Sequence, residues 1–231
     1  MDIKVPYLKV IEIDRMVAEL VARYAKETGE ALRPPVDVDA IVERFLGLDF
    51  EVVDLKGLLG IPDVIGAVWF DDKVVRVDES LDDDSKEGRF AYTVGHEIGH
   101  WVMHRPHYEM EKVTLPLFAH TPGQVATRAV VCRAGTKGSA EWQANQFSSR
   151  LLMPEADVRA AVKNLRGDSP VAFNGVKGSQ SATAYDRDFR DFANEVSLAG
   201  NFLNVSNQAM RIRLVDLRLV ADANDPQTRL F

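Results

Sequence analysis

Apolar positions recur at helical spacing in the first part of the chain, where Ile13, Met16, Val17, Leu20 and Tyr24 predict an amphipathic helix with Gly29 placed to stop it. After Pro34-Pro35 a second helix is predicted, capped by Asp37, buried along Val38, Ile41, Val42 and Phe45, and ended at Gly47. Segments 48–54, 65–70 and 73–78 then read as strands, the last two joined in a tight hairpin over Asp71-Asp72. An acidic run over 79–85 hands the chain to a stretch, Arg89 to His104, in which Phe90, Val94, Ile98, Trp101 and Val102 return to helical spacing. Trp142, Phe147, Leu151 and Leu152 mark the next helix, stopped by Pro154, and a shorter one follows to about Leu165, closed by Gly167. This order predicts an α+β fold, with a small antiparallel sheet packed against the helix that follows it.

The rest of the chain reads differently. Residues 167–184 are rich in Gly, Ser and Asn and are expected to form a loop or linker between a first domain, 1–166, and a C-terminal helical region, 185–231. In that region Phe189, Phe192, Ala193 and Val196 mark one helix; Gly200 breaks it, and Ser206 caps another whose inward residues are Met210, Leu214 and Leu217. Two such helices form a helix-turn-helix-like pair. Arg211, Arg213 and Arg218 give the second a basic surface, offset by Asp186, Asp188, Asp191 and Asp216. Direct DNA contact is therefore one reading of this region, with packing or docking of a protein partner the one preferred.

Candidate chemistry lies in residues 96–100, His-Glu-Ile-Gly-His. Histidines four apart on a helix share one face, so His96 and His100 can reach a single Zn²⁺ with Glu97 beside them to take a proton from water. A hydrolytic zinc site needs a third protein ligand. The pattern with a third His six residues after the second fails, because Met103 and Pro106 stand at the matching positions. Glu141 is the preferred third ligand, since a carboxylate on a second helix can cross to the metal. Asn145, one turn on, is placed to hydrogen-bond a ligand histidine and hold its tautomer. His104, a turn further along the motif helix, and His107, after a Pro in what reads as a loop, are weaker candidates, and His120 weaker still. Tyr92, His104 and His107 all carry groups suited to an oxyanion donor, and the sequence does not choose among them. An extended substrate has two candidate strand edges, 67–70 and 127–132. Cys132 reads as a small hydrophobe in a strand rather than a redox switch.

Taken together, Pro34-Pro35-Val-Asp, the run from Arg89 through His-Glu-Ile-Gly-His to Trp101, and Glu141-Trp-Gln-Ala-Asn-Gln-Phe followed by Leu-Leu-Met-Pro154 resemble the ImmA/IrrE family of zinc metallopeptidases. The resemblance covers roughly residues 8–165 and continues more weakly over 202–214. It implies a minimal zincin-like, more narrowly gluzincin-like, fold in which His96, His100 and Glu141 bind zinc and Glu97 is the catalytic carboxylate. It also implies a role, cleavage of a helix-turn-helix transcriptional repressor that switches on stress-response or mobile-element genes. The chain departs from the family's pattern in the long interval between His104 and Glu141, and in Gln143, where many members carry a second Glu.

Composition narrows the setting. The chain has 231 residues, 46% hydrophobic and 27% charged, which excludes a wholly disordered protein. No run approaches the ~18 uninterrupted apolar residues of a membrane span, no secretory leader is read at the start, and the single cysteine fits a reducing compartment. A cytoplasmic protein with no membrane association is expected. The net charge of −7 argues against loose electrostatic binding of nucleic acid. Zn²⁺, one per chain, is the expected metal, with Mn²⁺ or Fe²⁺ compatible with the same donors. The alternative to a peptidase is a zinc-stabilised regulator that binds a repressor or DNA by occupancy alone. A broad digestive protease is a weaker third, since unrestricted proteolysis in the cytoplasm is hazardous.

Overall fold

The computed structural model describes residues 5–114, 129–133, 139–173 and 183–222. They form two compact units, the first of residues 1–33 and 37–151, the second of 34–36 and 152–231.

The first unit opens with α1 (Val10–Thr28), which buries Ile13, Val17, Leu20 and Tyr24 and ends at Gly29 in the left-handed region, φ 77°. Helix α2 (Val38–Ala40) runs on into a π-helical turn, Ile41–Phe45, and the Asp37 carboxylate caps it by accepting from Ala40 N–H at 2.9 Å. Strand β1 (Asp49–Val53), short helix α3 (Leu55–Leu59) and the hairpin of β2 (Val64–Trp69) and β3 (Val74–Asp78) follow. Two 3₁₀ turns, Glu79–Leu81 and Asp84–Lys86, lead into α4 (Glu87–Thr114), then β4 (Ala129–Arg133) and α5 (Ser139–Leu152).

The sheet order is β1-β3-β2-β4. It is mixed, which corrects the expectation of a wholly antiparallel sheet: β2 is antiparallel to both neighbours, but β1 runs parallel to β3, with Asp49 opposite Val74. Helix α3 intervenes between β1 and β2, so β1 is not half of a hairpin and can lie beside β3 in the same direction. Leu55, Val64, Ala67, Trp69 and Val74 form an apolar cluster that joins α3 to the sheet. At Gly66 a Cβ would come within 2.6 Å of the Thr93 methyl and 2.8 Å of Glu97 Oε1, so the missing side chain lets α4 lie close on β2.

Helix α4 also departs from the sequence reading. It passes through Pro106, which places His107 on the helix rather than in a loop. Part of the long interval after His104 is therefore helix, and the segment containing His120 lies outside the described residues.

The second unit contains α6 (Glu155–Arg166), β5 (Val171–Phe173), α7 (Thr183–Ala199), α8 (Asn207–Asp216) and β6 (Val220–Asp222). The stretch read as a linker holds β5, which pairs in parallel with β6, a partner about fifty residues away that no local alternation could announce. Val158, Phe192, Val196, Phe202, Met210 and Leu214 form its interior, and Ser206 caps α8 by accepting from Ala209 N–H. The connection between α7 and α8, residues 200–206, is longer than the roughly 3–4-residue turn of a DNA-reading helix pair. Arg213 is not part of a basic surface: its side chain is buried and donates to the Met153 carbonyl at 3.0 Å. Residues 34–36 belong here because Asn201 and Asn204 each donate a side-chain N–H, at 2.8 Å, to the carbonyls of Pro34 and Val36.

Candidate metal centre

Helix α4 carries His96, Glu97 and His100, and α5 carries Glu141 at its first turn. The two helices approach through glycine. A Cβ on Gly99 would lie 3.1 Å from Phe147 Cβ and 3.3 Å from Ala144 Cα, and one on Gly95 would lie 2.7 Å from Ser148 Oγ. This close approach brings the Glu141 carboxylate between the imidazoles. Oε2 lies 3.3 Å from His96 Nε2, Oε1 lies 3.3 Å from His100 Nε2, and the two Nε2 atoms stand 2.9 Å apart. Donors at the corners of a tetrahedron with bonds of ~2.0–2.1 Å are separated by about 3.3 Å, so the three groups have the spacing and the chemistry of a zinc site.

Electrostatics favours the same use. Burial raises the Glu141 pKa, but the His100 and His96 imidazoles beside it outweigh burial and hold the carboxyl well below its usual range. Burial pushes His100 down to about 4, against the pull of Glu141. At neutral pH the cluster is thus a carboxylate with a neutral His100 imidazole, the forms a metal binds. Glu97 is fully buried, and neither carboxylate oxygen has a hydrogen-bond partner among the described residues. Its pKa is raised well above the usual range, first by burial and then by the Glu141 charge. An orphaned carboxylate next to three convergent donors fits a metal site that also needs a base.

The groups around the ligands are occupied. Asn145 Oδ1 lies 3.1 Å from His96 Nδ1, the contact its spacing predicts, and accepts that N–H so that Nε2 offers its lone pair. Tyr92 donates its hydroxyl proton to the Asn145 backbone carbonyl at 3.1 Å, and Ser148 donates to the Tyr92 carbonyl at 2.8 Å. The Tyr92 proton is thus committed to tying α4 to α5.

His104 is completely buried, with Nδ1 2.8 Å from His100 Nδ1 and Nε2 3.0 Å from Gln143 Oε1. Burial first, and then the His100 neighbour, push its pKa down to about 3. Both ring nitrogens of His104 are thus engaged, one with His100 and one with Gln143. His107 is half-buried further along α4 and is not among the clustered donors. The contact missed from sequence is that of Gln143 with His104. The i, i+4 spacing of His100 and His104 was the available signal, since it stacks the second ring on the first.

A buried two-histidine, one-carboxylate cluster on a pair of helices beside a small sheet has the donor set expected of a metallopeptidase domain. Residues 71–174 match the Peptidase_M78 family model, described as the IrrE N-terminal-like domain, and over this segment the chain is similar to the ImmA/IrrE family. No curated protein matches the chain.

Proposed function

We propose that the protein is a zinc-dependent endopeptidase that cleaves a helix-turn-helix transcriptional repressor at a limited site in the cytoplasm, and so regulates stress-response or mobile-element genes. The observation that carries the hydrolytic reading is the convergence of His96, His100 and Glu141 beside the buried carboxylate of Glu97, which has no hydrogen-bond partner among the described residues. The similarity of residues 71–174 to the IrrE N-terminal-like domain supports the choice of substrate.

His96, His100 and Glu141 would hold a zinc ion, which would supply Lewis-acid polarisation of a peptide carbonyl and acidify a water molecule; Mn²⁺ or Fe²⁺ would suit the same donors. Glu97 would accept the proton of the attacking water and pass it to the leaving amine. Asn145 holds His96 in the tautomer that ligation requires. Strand β2 lies between β3 and β4, so its 67–70 edge is filled, and β4 ends the described sheet on that side. The β4 edge is the one left to hold an extended loop of the substrate by backbone pairing.

Among the described residues no helix is long and apolar enough to cross a membrane. The second unit, with Arg213 turned inward, is read as docking the repressor rather than DNA.

Incubating the zinc-loaded protein with helix-turn-helix repressors encoded beside its gene tests the proposal. One of them is cleaved at a single bond by the parent and left intact by Glu97→Gln, which still binds zinc and repressor. Cleavage by Glu97→Gln at the parent's rate removes the mechanism; regulation without any cleavage by the parent replaces it with occupancy.

A further inference from the structure

The hydrogen bonds behind His100 form a chain whose direction is fixed at its far end. Gln143 Nε2 lies 2.9 Å from the Pro6 carbonyl and 3.2 Å from Ser139 Oγ, and the carbonyl can only accept. The amide nitrogen is therefore on that side and Oε1 faces His104, whose Nε2 must carry the proton between them at 3.0 Å. A neutral imidazole carries one ring proton, and on His104 the Gln143 oxygen places it at Nε2. Its Nδ1 then presents a lone pair to His100 Nδ1 at 2.8 Å, and the one proton in that short contact belongs to His100. The Pro6 end is itself held, because Tyr7 stacks on Trp142 with ring centroids 6.0 Å apart.

We propose that Gln143 and His104 are positioning residues for the metal centre, a two-residue relay anchored on the Pro6 carbonyl that holds His100 in the Nδ1–H tautomer with its Nε2 lone pair directed at Glu141. A buried imidazole left to itself divides between two tautomers and can turn about χ2. The relay removes both freedoms before the metal arrives, as Asn145 does for His96. It also assigns a use to Gln143: the position requires an acceptor toward His104, which an amide or a carboxylate supplies and a hydrocarbon does not.

The inference rests on the reading of His96, His100 and Glu141 as ligands, and the test separates the two. Zinc affinity is measured by chelator competition on the full chain for the parent, Glu141→Ala, His104→Phe, Gln143→Leu and Gln143→Glu, with the apoprotein melting temperature of each recorded. The relay predicts a loss of about 10- to 100-fold in affinity for His104→Phe and Gln143→Leu, and retention within about threefold for Gln143→Glu. Parent-like affinity in His104→Phe and Gln143→Leu, with Glu141→Ala impaired, overturns the relay and leaves the ligand set standing. A parent that binds no zinc, or a Glu141→Ala protein that binds it as well as the parent, overturns the ligand set and the relay with it. A relay variant that fails to fold is bypassed by ¹⁵N imidazole spectra of the parent apoprotein. His100 protonated on Nδ1 and His104 on Nε2 supports the relay, and His100 protonated on Nε2 overturns it.

Discussion

At the scale of single residues, two carboxylates do opposite things with burial. Glu97 keeps its oxygens without hydrogen-bond partners among the described residues and is raised toward the protonated form. Replacing it with Gln keeps the shape and removes the base. Peptide hydrolysis should fall by ~10²- to 10⁴-fold, while metal analysis still returns one zinc per chain. Asp78, equally buried, is instead surrounded by donors. Burial pushes its pKa up, but Lys56 Nζ at 2.7 Å, the Ser80 hydroxyl and backbone N–H groups pull it down to about 2. A carboxylate depressed in the folded state contributes stability above its ordinary pKa of 3.8, and loses it as pH falls toward 2. Urea titrations of the parent between pH 4 and 2 should show about 1–2 kcal/mol of stability disappearing that Asp78→Asn never had. Equal slopes for the two proteins would assign the acid sensitivity elsewhere. The residues of the site were legible where spacing alone brings groups together, as with His96 and His100 or Glu141 and Asn145. The Gln143 contact with His104 was not, because it depends on how two helices meet.

Between elements, the decisive contact is that of α4 with α5. Gly99 sits against the backbone of Ala144 and the Cβ of Phe147, closer than an ordinary contact, so a side chain there requires α5 to give way by a few tenths of an ångström or more. Gly99→Val is expected to destabilise the fold by about 1–3 kcal/mol and to weaken zinc binding as well, since Glu141 moves with α5. A variant equally destabilised at a remote position, with parent-like zinc affinity, is the control. If Gly99→Val binds zinc as the parent does, helix spacing does not set the centre's geometry. Elements defined by their own periodicity were readable in advance, including both long helices of the site and the β2–β3 hairpin. Pairings set by distant segments were not. The parallel β1–β3 contact depends on α3 intervening, and β5–β6 joins two three-residue strands. The passage of α4 through Pro106 contradicts the local rule that proline ends a helix, so the segment around His107 is helix where that rule predicts a loop.

For the molecule as a whole, a metal that binds only the folded state links occupancy to stability. With free zinc at ~100 times its dissociation constant, that linkage is about 2.7 kcal/mol, and chelation should lower the melting temperature of the parent but not of Glu141→Ala. An identical shift in both would place the bound zinc outside the centre. The course of the backbone carries a different consequence. The chain leaves its first unit after residue 33, contributes three residues to the second, returns at residue 37, and leaves again after residue 151. Val36 is fully enclosed, and its carbonyl and that of Pro34 are bonded by asparagines that follow more than 160 positions later. The two parts are interleaved rather than strung in series. No single cut separates them cleanly, and a nascent chain holds residues 34–36 without these partners until Asn201 and Asn204 have been made. A gene fusion or shuffling event that borrowed only residues 1–151 would inherit an unfinished surface at that point. Such a composition constrains the protein to travel through evolution as one piece.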